Sequence, residues 1–483
     1  MIGLSAFSAT NGYNGPGSAS QSELEALSKA LQAGYQVGSG KTGGSSLRVE
    51  SLEASLKVVT YSSSHIKFWK KIPKSPAYST VEEYNELSDY GGSATPWIGE
   101  GELPQASDSS FVRRMQFVKF LGTVREVTHQ ASLVHPAHGD LIALENQNGI
   151  LYLLQQIEQS LFTGDSSLAF DGEAEQWDGL DSLVDPTSVL DLEGSSLQEA
   201  DIEEASNTIV ENYGFPTDLF LGLRSMSDLT KTMYPRQRIS MPAPVNGKAG
   251  MTIESISTQG GELSLCPDVF VRSRPAAPTA ATSSGAPATP ATIAGVLNAG
   301  ATNGDHTKGA PTGTTNFAYV VTAANRFGES APTAVLGAAV AMTQAQKVAG
   351  NSITLTITNA AAIGAYPPEY FKIYRSVAAV SAAVPAAMSS YSHIMSVPAS
   401  SQIAGIATVV EDVNLYLPFT STAYMGELTP SVLTFRQLFP MMKMDLAVLA
   451  PAYRWMILLY GTPLMFARKK WLRMINIGQL STR

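Results

Sequence analysis

A single cysteine, Cys266, stands in 483 residues, which excludes an intrachain disulfide and leaves the redox compartment open. Charge is sparse as well. Only 15% of residues are charged, and 32 Lys+Arg against 41 Asp+Glu give a formal net charge of -9, so the basic excess of a protein that grips nucleic acid is missing. Walling in DNA without gripping it stays compatible with that balance. No apolar run is long enough to cross a bilayer; the longest, Trp455 to Phe466, contains Gly461 and Pro463. The opening residues MIGLSAFSATNGYNG have neither the charged start nor the continuous apolar core of a secretory signal. A soluble, non-secreted chain of about two to four structural units is expected.

The clearest element that is present runs from Leu141 to Asp165, LIALENQNGILYLLQQIEQSLFTGD. Ile150, Leu153, Leu154, Ile157 and Leu161 recur at helical spacing and predict one buried face, with Gln155, Gln156, Glu158 and Gln159 on the other side. Thr163-Gly164-Asp165 should end the helix, Gly164 by taking a left-handed conformation. Farther on, Ser196-Leu197-Gln198-Glu199 has the pattern of a capping box and opens a helix with Ile202, Ala205, Ile209 and Tyr213 on one side. Asn212 to Pro216 stop it, and Leu219 to Leu223 reads as a short buried strand.

Four stretches invite chemical readings and fail on spacing. Gly38-Ser39-Gly40-Lys41-Thr42 resembles a phosphate-cradling loop, but Tyr35 stands where its first glycine belongs, a helix precedes it where a buried strand is needed, and Gly43-Gly44-Ser45-Ser46 follow where the cradling helix should start. His135, His138 and Asp140 have ligand-like spacing with nothing in sequence to complete a metal shell, so a turn capped by Asp140 is expected. The six acidic residues of FDGEAEQWDGLDSLVDP do not follow a calcium loop. Lys67, Lys70, Lys71 and Lys74 around Phe68 and Trp69 could meet single-stranded nucleic acid, yet their flanks lack further basic charge and an extended, solvated or partner-facing strand is expected. No catalytic, cofactor-binding or metal-ligating set emerges, and no enzymatic activity is expected.

The remaining segments organise the chain. Residues 1–21 are rich in Gly, Ser and Asn; a short helix with Leu24, Leu27 and Leu31 follows. Residues 79–130 read as one long two-stranded arm, polar and glycine-broken up to Ser110 and then β-rich through FVRRMQFVKFLGTVREV. Such an arm is too long to pack on its own core. From Ala276 to Met425 only ten residues in 150 are charged. PAAPTAATSSGAPATPA reads there as a linker, and FAYVVTAAN, SITLTITNA, YFKIYRS and ATVVEDV read as short strands of an antiparallel sandwich. PAYRWMILLYGTPLMFARKKWLRMINIG returns to long strands.

The order of mobile arm, long hairpin, helix ending in LFTGD, Trp177-Asp178-Gly179-Leu180, second helix and GFPTDLFLGLRSMSDL resembles the major capsid proteins of tailed double-stranded-DNA phages, the HK97-like fold. The resemblance covers roughly residues 20–274 and 427–483. It implies an α+β chain divided into an N-terminal arm (1–78), an extended loop (79–130), a peripheral domain with its spine helix and an axial domain (131–274), and a C-terminal part of the peripheral domain (427–483). Residues 275–426 would form an inserted immunoglobulin- or fibronectin-III-like sandwich, displayed outside; Tyr319 to Asn325 with Gly328-Glu329-Ser330 carry that likeness. The implied partner is the chain itself, as hexamers and pentamers of an icosahedral virion capsid assembled in the host cytoplasm and enclosing double-stranded DNA. Portal and scaffolding proteins are expected, decoration proteins and weak host-glycan contacts are compatible, and no membrane and no cofactor are involved. Some relatives join subunits through a lysine of the extended loop; residues 80–110 contain none here, so non-covalent adhesion is expected. An encapsulin-type nanocompartment and a surface adhesin built on the sandwich are the rival readings.

Overall fold

In the computed structural model the described residues are 60–92, 97–103, 106, 108–133, 140–169, 176–233, 253–272, 277–279, 283–298, 300, 304–333, 339–364, 366–381, 383–447 and 450–479. Contacts divide the chain into residues 1–59 with 134–141, and residues 60–133 with 142–483; every sheet among the described residues lies in the second unit. The N-terminal arm up to residue 59, the glycine-lysine motif at residues 38–42 and the pair His135 and His138 lie outside the described residues.

Period-two alternation builds the centre. Six strands pair in the order Val189–Asp191, Trp471–Ile477, Ser421–Gly426, Asp218–Gly222, Gly261–Asp268, Ser255–Thr258. The first pairing and that between Asp218–Gly222 and Gly261–Asp268 are parallel, the others antiparallel. Leu219, Leu221, Leu263, Leu265, Ala423, Met425, Leu472 and Met474 point to one face, and Phe220, Cys266, Tyr424 and Trp471 to the other, as successive side chains in a strand must. Helices Glu199–Glu211 and Leu223–Met233 cover the first face with Ile202, Ala205, Ile209, Met226 and Leu229. Helix Leu141–Thr163 covers the second. There Phe162 stacks on Phe68 with centroids 5.0 Å apart and on Tyr424 at 5.6 Å. Both faces of the sheet are therefore covered, and every residue of Asp218–Gly222 is buried.

The long helix ends where expected, but its buried face is wider than one stripe. Leu153, Ile157 and Leu161 are buried; Leu154 and Ile150 are only half-buried, while Glu158 and Phe162 are buried completely. The helix also packs against a second sheet: a Cβ on Gly149 would stand 2.7 Å from Ile457 Cδ1. Gly164 serves close approach and not a left-handed turn, since its φ is not positive and a Cβ there would meet Trp177 O at 2.4 Å and Ser160 O at 2.5 Å. Gly179 N donates to Gly164 O at 2.9 Å, so the LFTGD and Trp177-Asp178-Gly179-Leu180 stretches lock into one another. The second helix starts two residues later than its motif implies: Gln198 is the N-cap, paired with Asp201, and Ser196 instead bridges to Gly478. Tyr213 is 87% exposed because it lies past the helix end at φ 61 and is turned outward.

A second sheet runs Lys74–Pro76, Leu433–Asp445, Ala452–Met465, Lys119–Thr128. Its last strand corrects the expected arm. Only Val81–Asp89 and Ser110–Phe117 form the two-stranded hairpin, whereas Lys119–Thr128 pairs residue for residue with Ala452–Gly461. The β-rich run continues straight through Val118 into a different sheet, a change of partner that periodicity does not signal.

Between the strands Gly261–Asp268 and Ser421–Gly426 lie a two-stranded antiparallel sheet, Thr315–Phe317 with Val340–Met342, and two larger antiparallel sheets. One is ordered Gly328–Glu329, Tyr319–Asn325, Tyr370–Ser376, Tyr391–Pro398, the other Ala407–Asp412, Ser352–Thr358, Thr292–Asn298. They share a core of Tyr319, Val321, Ile353, Leu355, Phe371 and Ile373 among others. At its centre Arg375 is 1% exposed and donates from Nη1 to Asp412 at 2.7 Å and from Nη2 to Asn414 Oδ1, while Tyr319 Oη donates to Asp412 at 2.7 Å. Two expectations change. Residues 283–291 are not a free tether: Asn325 Nδ2 donates to Gly285 O at 3.1 Å and Ala291 N to Thr358 O at 2.9 Å. Ser421–Gly426 is not part of this body, because it sits in the middle of the six-stranded sheet.

Candidate assembly surfaces and the arm junction

Cross-strand ion pairs Glu83 to Arg113 and Glu86 to Arg114 hold the hairpin, a form that is marginal alone. Its base is tied to the body: Tyr84 Oη donates to Met465 O at 2.8 Å and packs edge-on to Phe466, and Gln116 Nε2 donates to Asp178 Oδ2 at 3.0 Å. Its far end carries Trp97 at 87% exposure and Leu103 at 93%, and the outer strand exposes Phe111, Met115 and Phe117. Apolar side chains this exposed over so long a stretch mark a surface that another surface covers.

The lysine cluster turns out to be a docking element of the chain itself. Phe68–Lys71 is a one-turn helix, not an extended strand, and Phe68 is buried against Phe162 and Phe220. Lys67 Nζ donates to Pro267 O at 2.6 Å, Lys70 Nζ to Ser63 O, Lys71 Nζ to Asp218 Oδ1 at 2.5 Å, and Lys74 Nζ to Trp69 O at 2.6 Å. With Phe68 buried and each ammonium engaged, the stacking platform that single-stranded nucleic acid requires is not presented.

Glu158 receives that one-turn helix. Its Oε1 accepts from Lys67 N at 2.7 Å and Phe68 N at 2.6 Å, and Oε2 from Trp69 N at 2.8 Å, satisfying donors that a helix start leaves open. Burial and the neighbouring Asp268 carboxylate push the Glu158 carboxyl up to about 8, against the pull of the Trp69 and Phe68 N–H groups. Asp268 Oδ1 accepts from Phe270 N at 2.8 Å, while Oδ2 finds no donor among the described residues; a proton held on Glu158 fills that need. Helical period alone places Glu158 among glutamines. The available signal was Phe162 one turn on and Leu154 one turn back, both apolar on its own side of the helix.

A carboxyl raised in the folded state binds its proton more tightly folded than unfolded. Its stabilisation is complete below the ordinary value of 4.5 and is lost as pH rises through about 8. The melting temperature of the subunit should therefore fall by several degrees between pH 6 and pH 9. Glu158→Gln keeps an acceptor and supplies a permanent N–H toward Asp268, so its melting temperature should fall measurably less over the same range. Parallel curves for the two proteins would show that the pair does not titrate.

The two larger sheets between residues 292 and 412 are latched to the body. Arg272 Nη2 donates to His393 O at 2.6 Å and its guanidinium lies 4.7 Å over the Tyr416 ring. Lys308 pairs with Asp191 at 2.9 Å, and Asn476 Oδ1 accepts from Leu417 N at 2.7 Å. Thr422 N donates to Arg272 O at 2.9 Å, so the chain leaves the six-stranded sheet and returns to it side by side.

Among the described residues no group of three or more His, Cys, Asp or Glu is arranged to hold a metal ion, and no helix is long and apolar enough to cross a membrane. A cavity of about 290 Å³ between the hairpin base and the body is lined by Tyr84, Arg113, Arg114, Asp178 and Arg468. Its arginines are engaged, Arg113 and Arg114 with Glu83 and Glu86, and Arg468 with Leu183 O at 2.6 Å.

Known proteins match this chain nearly end to end. It is 27% identical over 477 residues to the putative major capsid protein of Enterococcus phage phiEF24C, spanning 95% of this chain and 97% of that protein. It is 24% identical over 474 residues to the major capsid protein of Staphylococcus phage K, spanning 95% and 96%. A solved structure from Gordonia phage Cozz aligns over 93% of this chain and 98% of its own at 10% identity with a TM-score of 0.44. The holo-SrpI encapsulin complex from Synechococcus elongatus PCC 7942 aligns over 89% and 95% at 9% identity with a TM-score of 0.40; at such scores the structural likenesses do not separate the two. The family described as SU10 major capsid protein matches residues 6–281. That is more than half of the sequence, and the chain belongs to the SU10 major capsid protein family, phage proteins that form the shell of the virion.

Proposed function

We propose that this subunit works by assembly alone, as an HK97-like tile without catalytic activity, many copies of which close into an icosahedral head around double-stranded DNA. The observation that carries the reading is the hairpin, whose large apolar side chains Leu103, Phe111, Met115 and Trp97 are exposed and fit an extended loop that laps over a neighbouring subunit. Summed burial over many such overlaps compensates for weak individual contacts. Exchanging Trp97 and Leu103 for serine should leave the melting temperature of the unassembled subunit unchanged and abolish particles in negative-stain micrographs. Normal particles from the double variant would sink the reading.

The acidic balance of the chain suits a wall that must let DNA be packed and released. With no lysine in residues 80–110, the shell is held non-covalently, and boiled particles should give one band near 51.2 kDa on a denaturing gel. The segment between Arg272 and Ser421 is an immunoglobulin-like module facing outward. Supporting this are its two larger antiparallel sheets with a separate core and the end of the family match at residue 281. An insertion of this size on the inside would take up genome volume at every copy. Weak contact with host glycans, raised by copy number, is the activity to assay on it. Portal, scaffolding and decoration proteins are the remaining partners. Particles filled with DNA support the virus reading; empty cages would favour an encapsulin-like compartment.

A further inference from the structure

Lys71, at the end of the one-turn helix, brings its Nζ to 2.9 Å from Sγ of Cys266, the sole thiol of the chain. The thiol is buried at 5% exposure, whereas the lysine side chain is 38% exposed, so small solutes reach the pair from the lysine side. Asp218 Oδ1 stands 2.5 Å from the same Nζ and Ser264 Oγ 3.3 Å from it. A lysine nitrogen, a thiol and the carboxylate that ion-pairs with the lysine therefore meet in one place, on three different elements, and no second thiol exists with which Cys266 could form a disulfide inside the chain. The aromatic docking of Phe68 and the hold of Glu158 on the same turn keep Lys71 in register with the strand Gly261–Asp268.

We infer that Lys71 and Cys266 form an oxidation-dependent covalent link, Nζ–O–Sγ, when the protein meets peroxide. One peroxide converts the Cys266 thiol to sulfenic acid and leaves as water. A second converts the Lys71 amine, once its ammonium proton has passed to bulk water, to a hydroxylamine, also releasing water. The hydroxylamine oxygen then attacks the sulfenic sulfur and displaces the third water, so that Lys–NH₂, Cys–SH and two H₂O₂ give Lys–NH–O–S–Cys and three H₂O, a four-electron oxidation of the pair. Added thiol reverses it, restoring the amine and the free cysteine. Such a link would join residue 71 to the fifth strand of the six-stranded sheet, 195 positions along the chain. It would restrict the unfolded chain as a disulfide does without adding any bond between subunits. A shell put together in a reducing cytoplasm would acquire it after release into oxidising surroundings.

Peptide mapping of purified particles, untreated, treated with hydrogen peroxide, and treated with peroxide and then dithiothreitol, tests this. Mapping is needed because 16 methionines also take up oxygen. The expected product is a joined pair of fragments containing Lys71 and Cys266, heavier than the two separate fragments by about 14 Da, one oxygen in and two hydrogens out. It should disappear with dithiothreitol and be missing from Lys71→Arg and Cys266→Ser proteins. The oxidised wild type should melt several degrees above the reduced form, and Lys71→Arg should not show that rise. Sulfinic or sulfonic acid on Cys266 with no joined fragment overturns the inference, and so does a joined fragment that persists in Lys71→Arg. The wild-type map alone decides the matter if either variant fails to fold.

Discussion

Ile157→Asp should yield no particles and little soluble protein. Ile157 is 0% exposed on the long helix, in a cluster of apolar and aromatic side chains that includes Phe162, Trp177, Phe220 and Leu459. Burying an unpaired charge costs several kcal/mol even after relaxation, while a whole domain is held by only about 5–15 kcal/mol. Helical period alone does not choose between Ile157 and Leu154 for this test; Leu154 is only half-buried, so a charge there reaches water and costs less. Gln159→Asp, two positions along the same helix and exposed, should assemble normally, separating the effect of burial from that of charge on this helix. Particles of normal size and yield from Ile157→Asp would mean that the long helix is not the packing centre of the subunit.

The second large effect depends on where a deletion ends. Replacing residues 275–419 by a short Gly/Ser linker should leave protein that still assembles, because Arg272 O and Thr422 N are already hydrogen-bonded at 2.9 Å and the linker has almost no distance to cross. Closing so short a loop costs little entropy. The latches that are lost free groups that face water once the module is gone, among them Arg272 and Asp191. Replacing residues 276–425 should instead give insoluble chain. That cut removes Tyr424 and Met425, both 0% exposed, and with them most of the strand that pairs with Asp218–Gly222 on one side and Trp471–Ile477 on the other. A six-stranded sheet would lose a central member and expose two edges. Soluble yield and negative-stain images of the two deletions measure the difference; equal outcomes in either direction would place the boundary elsewhere.

Much of this protein is legible without coordinates. The helix at Leu141–Thr163, the strand through Leu219, the closing strands from Ala452 to Ile477 and four strands of the module follow from apolar spacing, because periods of 3.6 and 2 are local properties of the chain. The family likeness rests on the same order of elements. Tertiary structure decided which partner each element takes. Nothing in FVRRMQFVKFLGTVREV marks Val118 as the point where a hairpin strand becomes a strand of another sheet. Nothing in the low-charge segment says that Ser421–Gly426 returns to the main sheet, since a buried strand of small and apolar residues reads alike in either body. Glu158, Asp268 and the Lys71–Cys266 contact were out of reach for the same reason. Each joins residues roughly 90 to 200 positions apart, and the burial that raises one carboxyl and shelters the thiol exists only once the helix, the one-turn helix and the central sheet have closed on each other.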